Sequence, residues 1–469
     1  MVMGSLNQEV ETVVIGSGPG GYVAALRLAD LGKDVMLIEE RERPGGVCLL
    51  EGCIPSKSLI NAVELGEAAR GAERLGLTFT DLKLDHRKLR EWTDGVVETL
   101  SNGVRGLLKK RGVELVHGKA RFQDAHTLMI EGGGTVSFET CIVATGSSLN
   151  RLPEGIDPSV WSSADALELR EVPGTLLVVG GGYIGLELGL VYAGLGSEVS
   201  VVEFFPRLLA GADHDLTDVM IKQVTKRLKD VMVDSRVKSI TPVEGGFEVS
   251  IEHEGDTVEK SYDQVLVAIG RRPNTDDIGL ENTKIVVDDK GVIETDGECR
   301  TAEKHIFAIG DVTAGPMLAH KASREGKVAA EVIAGHKVEL DNRAIPAVVF
   351  TDPEISWCGL TERRAEDLGV EITVGRFPLA ALGRARAIGH TEGFVKIISE
   401  PGTDLILGVG IVGPHASELI SEGALAIEMG ATLADLTDTI HPHPTLSEAI
   451  MEAAEVAAGT AVHVHRPDK

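Results

Sequence analysis

Residues 45–57 read GGVCLLEGCIPSK, and two of the chain's five cysteines, Cys48 and Cys53, stand there behind a glycine pair. In an ideal α-helix an i, i+5 pair has its Cα atoms about 8–9 Å apart, whereas a disulfide needs less than about 7 Å. The two cysteines can bridge only where the backbone departs from a helix, and Gly45, Gly46 and Gly52 supply that freedom. A bridge over so short a loop stabilises little. A structural staple is therefore a weaker reading than a reducible couple. Zinc is the third reading, since C-x₄-C is within loose ligand spacing and His441 and His443 form a compact HPH. One cysteine pair is only half of such a site, and no second C-x-x-C or H-x₃-H accompanies it.

Two further stretches are suited to dinucleotides. Residues 12–21, TVVIGSGPGG, place Gly16, Gly18 and Gly21 in G-x-G-x-x-G spacing, and a helical segment and the run VMLI then lead to Glu39. Residues 176–185, LLVVGGGYIG, repeat the spacing at Gly180, Gly182 and Gly185, and a helical segment and VSVV lead to Glu203. The interval from first glycine to terminal acid is 23 residues both times. The first glycine allows a tight turn, the second lets backbone approach a pyrophosphate, and the third lets helix pack on strand. The helix N-terminus then offers N–H groups to the anion. One such motif is weak; two, each with strand, helix, strand and acid in order, point to two Rossmann-type sites. The terminal acid accepts a ribose 2′-OH and repels a 2′-phosphate, so Glu203, with no arginine immediately beside it, favours NAD over NADP. FAD with NAD is the economical pairing, one held and one exchanged.

The elements that must position these groups include three more strand-to-turn stretches, CIVATGS (141–147), VLVAIGRRPN (265–274) and HIFAIGDV (305–312). They bring Thr145, Gly146, Gly270, Gly310 and Asp311 towards the dinucleotide sites, and the Asp311 carboxylate suits a flavin ribityl hydroxyl. At 469 residues the chain has room for about three domains. Acids outnumber bases 72 to 46, a formal charge of −26, which repels nucleic-acid backbones and anionic lipid surfaces. No apolar run reaches the roughly 18–20 residues of a membrane span, and the start, MVMGSLNQEV, carries no secretory pattern. Cys141, Cys299 and Cys358 are scattered singly, which fits a reducing, cytoplasmic setting.

The redox stretch, together with GGGYIGLELG, LAHKA (318–322) and HPHPTLSEA (441–449), resembles the flavoprotein disulfide reductases, and within them the dihydrolipoamide dehydrogenase family. The resemblance runs over nearly the whole chain. It implies an α/β fold of two Rossmann-like dinucleotide-binding domains, for FAD and NAD, plus an α+β C-terminal dimerisation domain. The implied division is an FAD-binding domain at 1–149, an NAD-binding domain at 150–270, a central domain at 271–345 completing the FAD site, and an interface domain at 346–469.

The resemblance also implies roles. Cys48 is the interchange thiol and Cys53 the thiol beside the flavin. Lys57 lies near the flavin N5 and pairs with Glu187, and Ala319 of LAHKA belongs to the flavin site. His443 is the acid/base, Glu448 orients its imidazole, and the pair is contributed by the other subunit of a homodimer; His441 is structural. The implied reaction is oxidation of protein-bound dihydrolipoamide, with electrons passing through the cysteine pair and FAD to NAD, and with no metal. The implied partner is a lipoyl-bearing acyltransferase or a glycine-cleavage carrier protein. A related flavin-dependent reductase of another disulfide is the alternative, and the intact cysteine and histidine set speaks against a redox-inert binding subunit. Two positions depart from the family pattern. Glu51, in Leu-Leu-Glu-Gly, adds a negative charge expected to disfavour thiolate, and Pro442 stands where the family often has Ala.

Overall fold

The computed structural model describes residues 7–80, 82–132 and 134–465. The first six residues of the stretch read for a secretory signal lie outside the described residues, as do the last four of the chain.

The β-branched start of the sequence forms β1 (Asn7–Ile15), followed by α1 (Pro19–Asp30) and β2 (Val35–Glu39). Pro19 suits the first turn of α1, where its missing N–H costs nothing. The redox stretch forms α2 (Gly46–Glu51) and the start of α3 (Cys53–Arg70), and α4 (His86–Lys110) is capped by the Asp85 carboxylate. The strands β3 (Glu114–His117), β4 (Ala120–Asp124), β5 (Thr127–Ile130) and β6 (Gly134–Val143) complete one sheet in the order β3-β2-β1-β6-β5-β4. Its central strands are parallel and buried on both faces, which is why they read as unbroken apolar runs. Val14, Leu37 and Ile142 pack with the helices, whereas Val13, Ile38 and Val143 pack with Phe122 and Phe138.

The chain leaves this sheet through β7 (Ser147–Leu149). A second unit follows: α5 (Ser163–Leu167), β8 (Thr175–Val179), α6 (Tyr183–Leu195), β9 (Glu198–Val202), α7 (His214–Val224) and β10 (Asp230–Met232). A three-stranded antiparallel layer, β11 (Arg236–Val243), β12 (Gly246–His253) and β13 (Asp256–Tyr262), precedes β14 (Gln264–Val267). The parallel sheet of this unit runs β10-β9-β8-β14. The chain returns through β15 (Arg271–Pro273), antiparallel to β7, and β16 (Ile306–Ala308) then joins the first sheet beside β6. Helix α8 (Ala319–Ile333) packs against α1.

The C-terminal part is an antiparallel sheet ordered β17-β18-β21-β20-β19. Its elements are β17 (Ala347–Val349), β18 (Glu354–Gly359), α9 (Glu362–Leu368), β19 (Thr373–Pro378), α10 (Gly383–Ile388), β20 (Phe394–Ser399) and β21 (Ile406–Gly413), then α11 (Ala416–Met429), α12 (Leu433–Thr437) and α13 (Glu448–Ala458). Phe377, Ile397 and Ile411 form its core with Ile450 and Ala453 of α13. A buried Lys396 ties this sheet to the second unit, with its ammonium 2.7–2.8 Å from the carboxylates of Asp213, Asp215 and Glu362. These carboxylates gather as metal ligands do, and a side-chain cation is already among them. No helix among the described residues is long and apolar enough to cross a membrane.

Candidate active site

The cysteine pair sits at a break between two helices. Gly45 and Gly46 have φ of +131° and +62°, a region other residues avoid, and they turn the chain from β2 into α2. Gly46 also lies against the first glycine loop, where a Cβ would come within 2.5 Å of the Gly18 Cα. At Gly52 (φ −143°, ψ −111°) α2 stops, and Cys53 begins α3. The break brings the thiols together: both cysteines are free, and Cys48 donates a hydrogen bond to Cys53. That hydrogen bond is the main reason the Cys53 thiol is lowered to about 7; burial opposes the shift and the Lys57 ammonium assists it. Cys53 also gains from its place at a helix N-terminus. Cys48, as donor and by burial, is pushed up. The structure thus describes the reduced pair, and these shifts favour Cys53 as the thiolate.

Lys57 is one turn further along α3. Its ammonium is 2.7 Å from Glu187 Oε2 and 4.4 Å from the centre of the Phe350 ring. Glu187 is buried in α6, and its Oε1 accepts the Phe350 backbone N–H at 3.0 Å. One ion pair therefore joins the first unit, the second unit and the C-terminal part.

A cavity of about 460 Å³ opens beside these groups. Gly16, Gly18, Glu39, Cys48, Cys53, Lys57, Thr145, Gly146, Gly310, Asp311 and Ala319 line it, with Glu187 and Tyr183 closing one side. Glu39 is fixed at one end: Oε2 accepts from Ser17 N at 2.8 Å and Ser17 Oγ at 2.5 Å, and Oε1 accepts from Arg41 N at 2.9 Å. Asp311 Oδ2 accepts from Ser147 Oγ at 2.5 Å, and Arg271 Nε donates to the same hydroxyl. Gly21 stands behind the loop, where a Cβ would come within 1.8 Å of the Gly16 carbonyl oxygen. These residues fit FAD. A Cβ on Gly18 would meet no protein atom within 4 Å, so backbone there is open to a pyrophosphate, with a ribose acceptor at one end and the thiol pair at the other.

Gly180, Gly182, Gly185 and Glu203 form a second loop outside this cavity. Glu203 Oε2 accepts from Gly181 N at 2.6 Å and Oε1 from Phe205 N at 2.8 Å. A Cβ on Gly182 likewise meets nothing within 4 Å, which fits a second dinucleotide. The carbonyl of Gly270 accepts from Asn150 N at 3.1 Å, in the crossing between the units. His443 does not line the cavity of its own chain. Its side chain is 76% exposed and its Nδ1 is 2.8 Å from Glu448 Oε1. The Glu448 carboxyl lies below its usual range: burial pushes it up but is outweighed by the Thr445 N–H and the His443 imidazole. His441 is enclosed, with Nε2 at 2.7 Å from Glu422 Oε1 and Nδ1 at 2.9 Å from the Thr439 carbonyl.

Glu51, the added charge near the couple, has a partner. Its Oε1 is 2.7 Å from Arg41 Nη2, so the added negative charge is paired. Sequence reasoning missed Arg41, Ser17, Ser147, Arg271, Phe350 and Tyr183. Two of these had a local signal: Ser17 is the residue inside G-x-G, and Tyr183 is the first residue of its helix, where the other copy has Pro19. Tyr183 lines the cavity and is 41% exposed.

Two sheets with matching glycine loops around a thiol pair define a class, and the comparisons agree with it. The pyridine nucleotide-disulphide oxidoreductase family model matches residues 10–326, and that family's dimerisation domain matches residues 345–454. The chain belongs to this family. Among curated relatives it is 46% identical over 468 residues to the dihydrolipoyl dehydrogenase of Geobacillus stearothermophilus, with 99% of each chain covered. It is 47% identical to the dihydrolipoyl dehydrogenase of Haloferax volcanii, again with 99% of each covered. Among solved structures, LpdA from Mycobacterium tuberculosis superposes with a TM-score of 0.86 at 29% identity, over 95% of this chain and 99% of that one. The HOCl-induced flavoprotein disulfide reductase RclA from Escherichia coli gives 0.84 at 28% identity, over 96% and 99%.

Proposed function

We propose that the chain oxidises dihydrolipoamide to lipoamide with NAD as acceptor, using FAD and the Cys48–Cys53 couple. The observation that carries this reading is the hydrogen-bonded thiol pair at the edge of a dinucleotide cavity, with the Lys57–Glu187 ion pair beside it. In the oxidised couple a substrate thiolate attacks Cys48 Sγ, a mixed disulfide forms, and Cys53 leaves as a thiolate. The second substrate thiolate then attacks the substrate sulfur that is bonded to Cys48 in the mixed disulfide, and Cys48 leaves as a thiolate. Substrate is oxidised to a cyclic disulfide and the couple is reduced to a dithiol. The two substrate protons need a base, and His443 of the partner subunit, oriented by Glu448, takes that role. Lys57 stabilises the Cys53 thiolate, and Glu187 holds Lys57 in place. Bound FAD supplies the electron relay between the dithiol and NAD.

The site is read as needing both copies, a reading supported by His443 being exposed and not lining the cavity of its own chain. We read the chain as an FAD-binding domain (1–149), an NAD-binding domain (150–270), a central domain (271–345) and an interface domain (346–469). The β7–β15 ribbon supports the first two boundaries. The substrate is read as lipoyl carried on an acyltransferase or a glycine-cleavage protein, and the setting as the cytoplasm. The unbridged, buried Cys141, Cys299 and Cys358 suit that setting.

The test is NADH formation by the purified protein supplied with free dihydrolipoamide. Turnover that needs NAD, is negligible with NADP and disappears in Cys48→Ser is the expected result. A protein that holds FAD but turns over only another dithiol would replace the substrate, and one with no thiol-dependent NAD reduction would overturn the reading.

A further inference from the structure

The turn that carries Asp311 is gripped by two buried charges that no step above uses. Lys321 and Glu325 stand one turn apart on α8, with side chains 3% and 4% exposed and Nζ–Oε1 at 2.9 Å. Glu325 Oε2 accepts the Gly310 N–H at 2.6 Å. Lys321 Nζ donates to the Gly310 carbonyl at 3.1 Å and to the Thr313 hydroxyl at 2.9 Å. The N–H and the carbonyl of Gly310, on either side of a φ of +78°, are both taken by this one pair. Asp311 comes next in the chain, and the Ser147 hydroxyl holds its carboxylate from the other side.

Burying an ion pair commonly costs as much as the attraction returns, and apolar side chains of similar size would fill the space as well. Apolar side chains cannot offer a donor and an acceptor to the same residue. We infer that Lys321 and Glu325 are positioning residues for the cofactor: they lock the Gly310–Thr313 turn in the one arrangement that presents Asp311 to the cavity, and so set the affinity for FAD. The inference rests on the FAD reading above.

The test is fluorescence titration of the apo-protein with FAD, below the unfolding temperature, on wild type, Glu325→Gln, Asp311→Asn and the combined variant. Glu325→Gln is expected to weaken FAD binding about tenfold, the effect of one lost hydrogen bond to a buried charge. If Glu325 acts through Asp311, the combined variant binds within about twofold of the weaker single variant. Effects that multiply would overturn the inference, because the pair would then act independently of Asp311. Lys321→Met/Glu325→Leu keeps the volume without the charges and covers the case in which Glu325→Gln does not fold. It is expected to lose about tenfold or more, and wild-type affinity in it would overturn the inference. Wild-type protein that takes up no FAD would sink the functional reading itself, an outcome distinct from a loss confined to the variants.

Discussion

The two glycine loops are near copies in backbone and opposites in surroundings. Gly16 and Gly180 have φ of +97° and +111°, and a Cβ on either would come within 2.4 Å of a carbonyl oxygen, that of Ala144 or Ala268. Glu39 and Glu203 each accept one N–H from inside their own loop and one from two residues downstream. The first loop is closed in by Gly46, Ser17 and the redox helices, at the wall of the cavity. The second has Phe204 and Phe205 exposed beside its acid, at 63% and 56%. The same local machinery thus suits a cofactor that is kept in one place and one that exchanges in the other. The loop recognises a dinucleotide, and its enclosure decides how long the dinucleotide stays.

The strongest way to break this comparison is to add a methyl group behind each loop. Gly21→Ala puts a Cβ 1.8 Å from the Gly16 carbonyl oxygen, and Gly185→Ala puts one 2.0 Å from that of Gly180. Gly21→Ala is expected to purify without flavin, destabilised by about 1–3 kcal/mol or more in thermal melts. Gly185→Ala is expected to stay yellow and to reduce NAD at least a hundredfold more slowly. Equal flavin loss in both would show that the loops are not separate devices.

A second prediction concerns the group poised between the two. With the Cys53 thiol lowered to about 7, its thiolate is present above that pH and is protonated as pH falls through it. The flavin–thiolate absorbance of the reduced holoenzyme should fade over that window. In Lys57→Met the midpoint should move up, because the nearby positive charge is gone, and turnover at neutral pH should fall about tenfold or more. An unmoved midpoint would remove Lys57 from this role.

Exchanging the two acids sharpens the comparison further. Glu203→Ala is expected to raise the KM for NAD about tenfold and leave flavin content unchanged, as loss of a hydrogen bond from a charged acceptor implies. Glu39→Ala should accelerate FAD release and leave the KM for NAD unchanged. Steady-state kinetics and dialysis against FAD-free buffer separate the two. The smallest effect belongs to Glu51→Gln. Its ion pair with Arg41 is about one-third exposed on both sides, so removal should cost no more than about 1 kcal/mol and shift turnover less than about twofold.

The legible parts of this protein are those whose physical cause is local. A glycine whose Cβ would strike the carbonyl five residues before it, an acid closing a strand, and two cysteines separated by a helix-breaking glycine are short-range requirements, and the amino-acid sequence carries them in full. The C-x₄-C spacing by itself left a staple, a metal half-site and a redox couple open. The resemblance of the surrounding motifs pointed to the couple, and the break at Gly52 supplies its geometry.

What only the tertiary structure decided is which distant group answers each local one. Glu187 meets Lys57 across 130 residues and Asp311 meets Ser147 across 164, and neither spacing has any periodicity to read. Nothing local to Glu51 names its partner, and it is the turn after β2 that brings Arg41 to it. Local pattern reports the constraints a backbone must satisfy in place. Charge pairing and burial depend on where the chain crosses itself, and the β7–β15 crossing is set by the packing of two sheets, not by any motif within it.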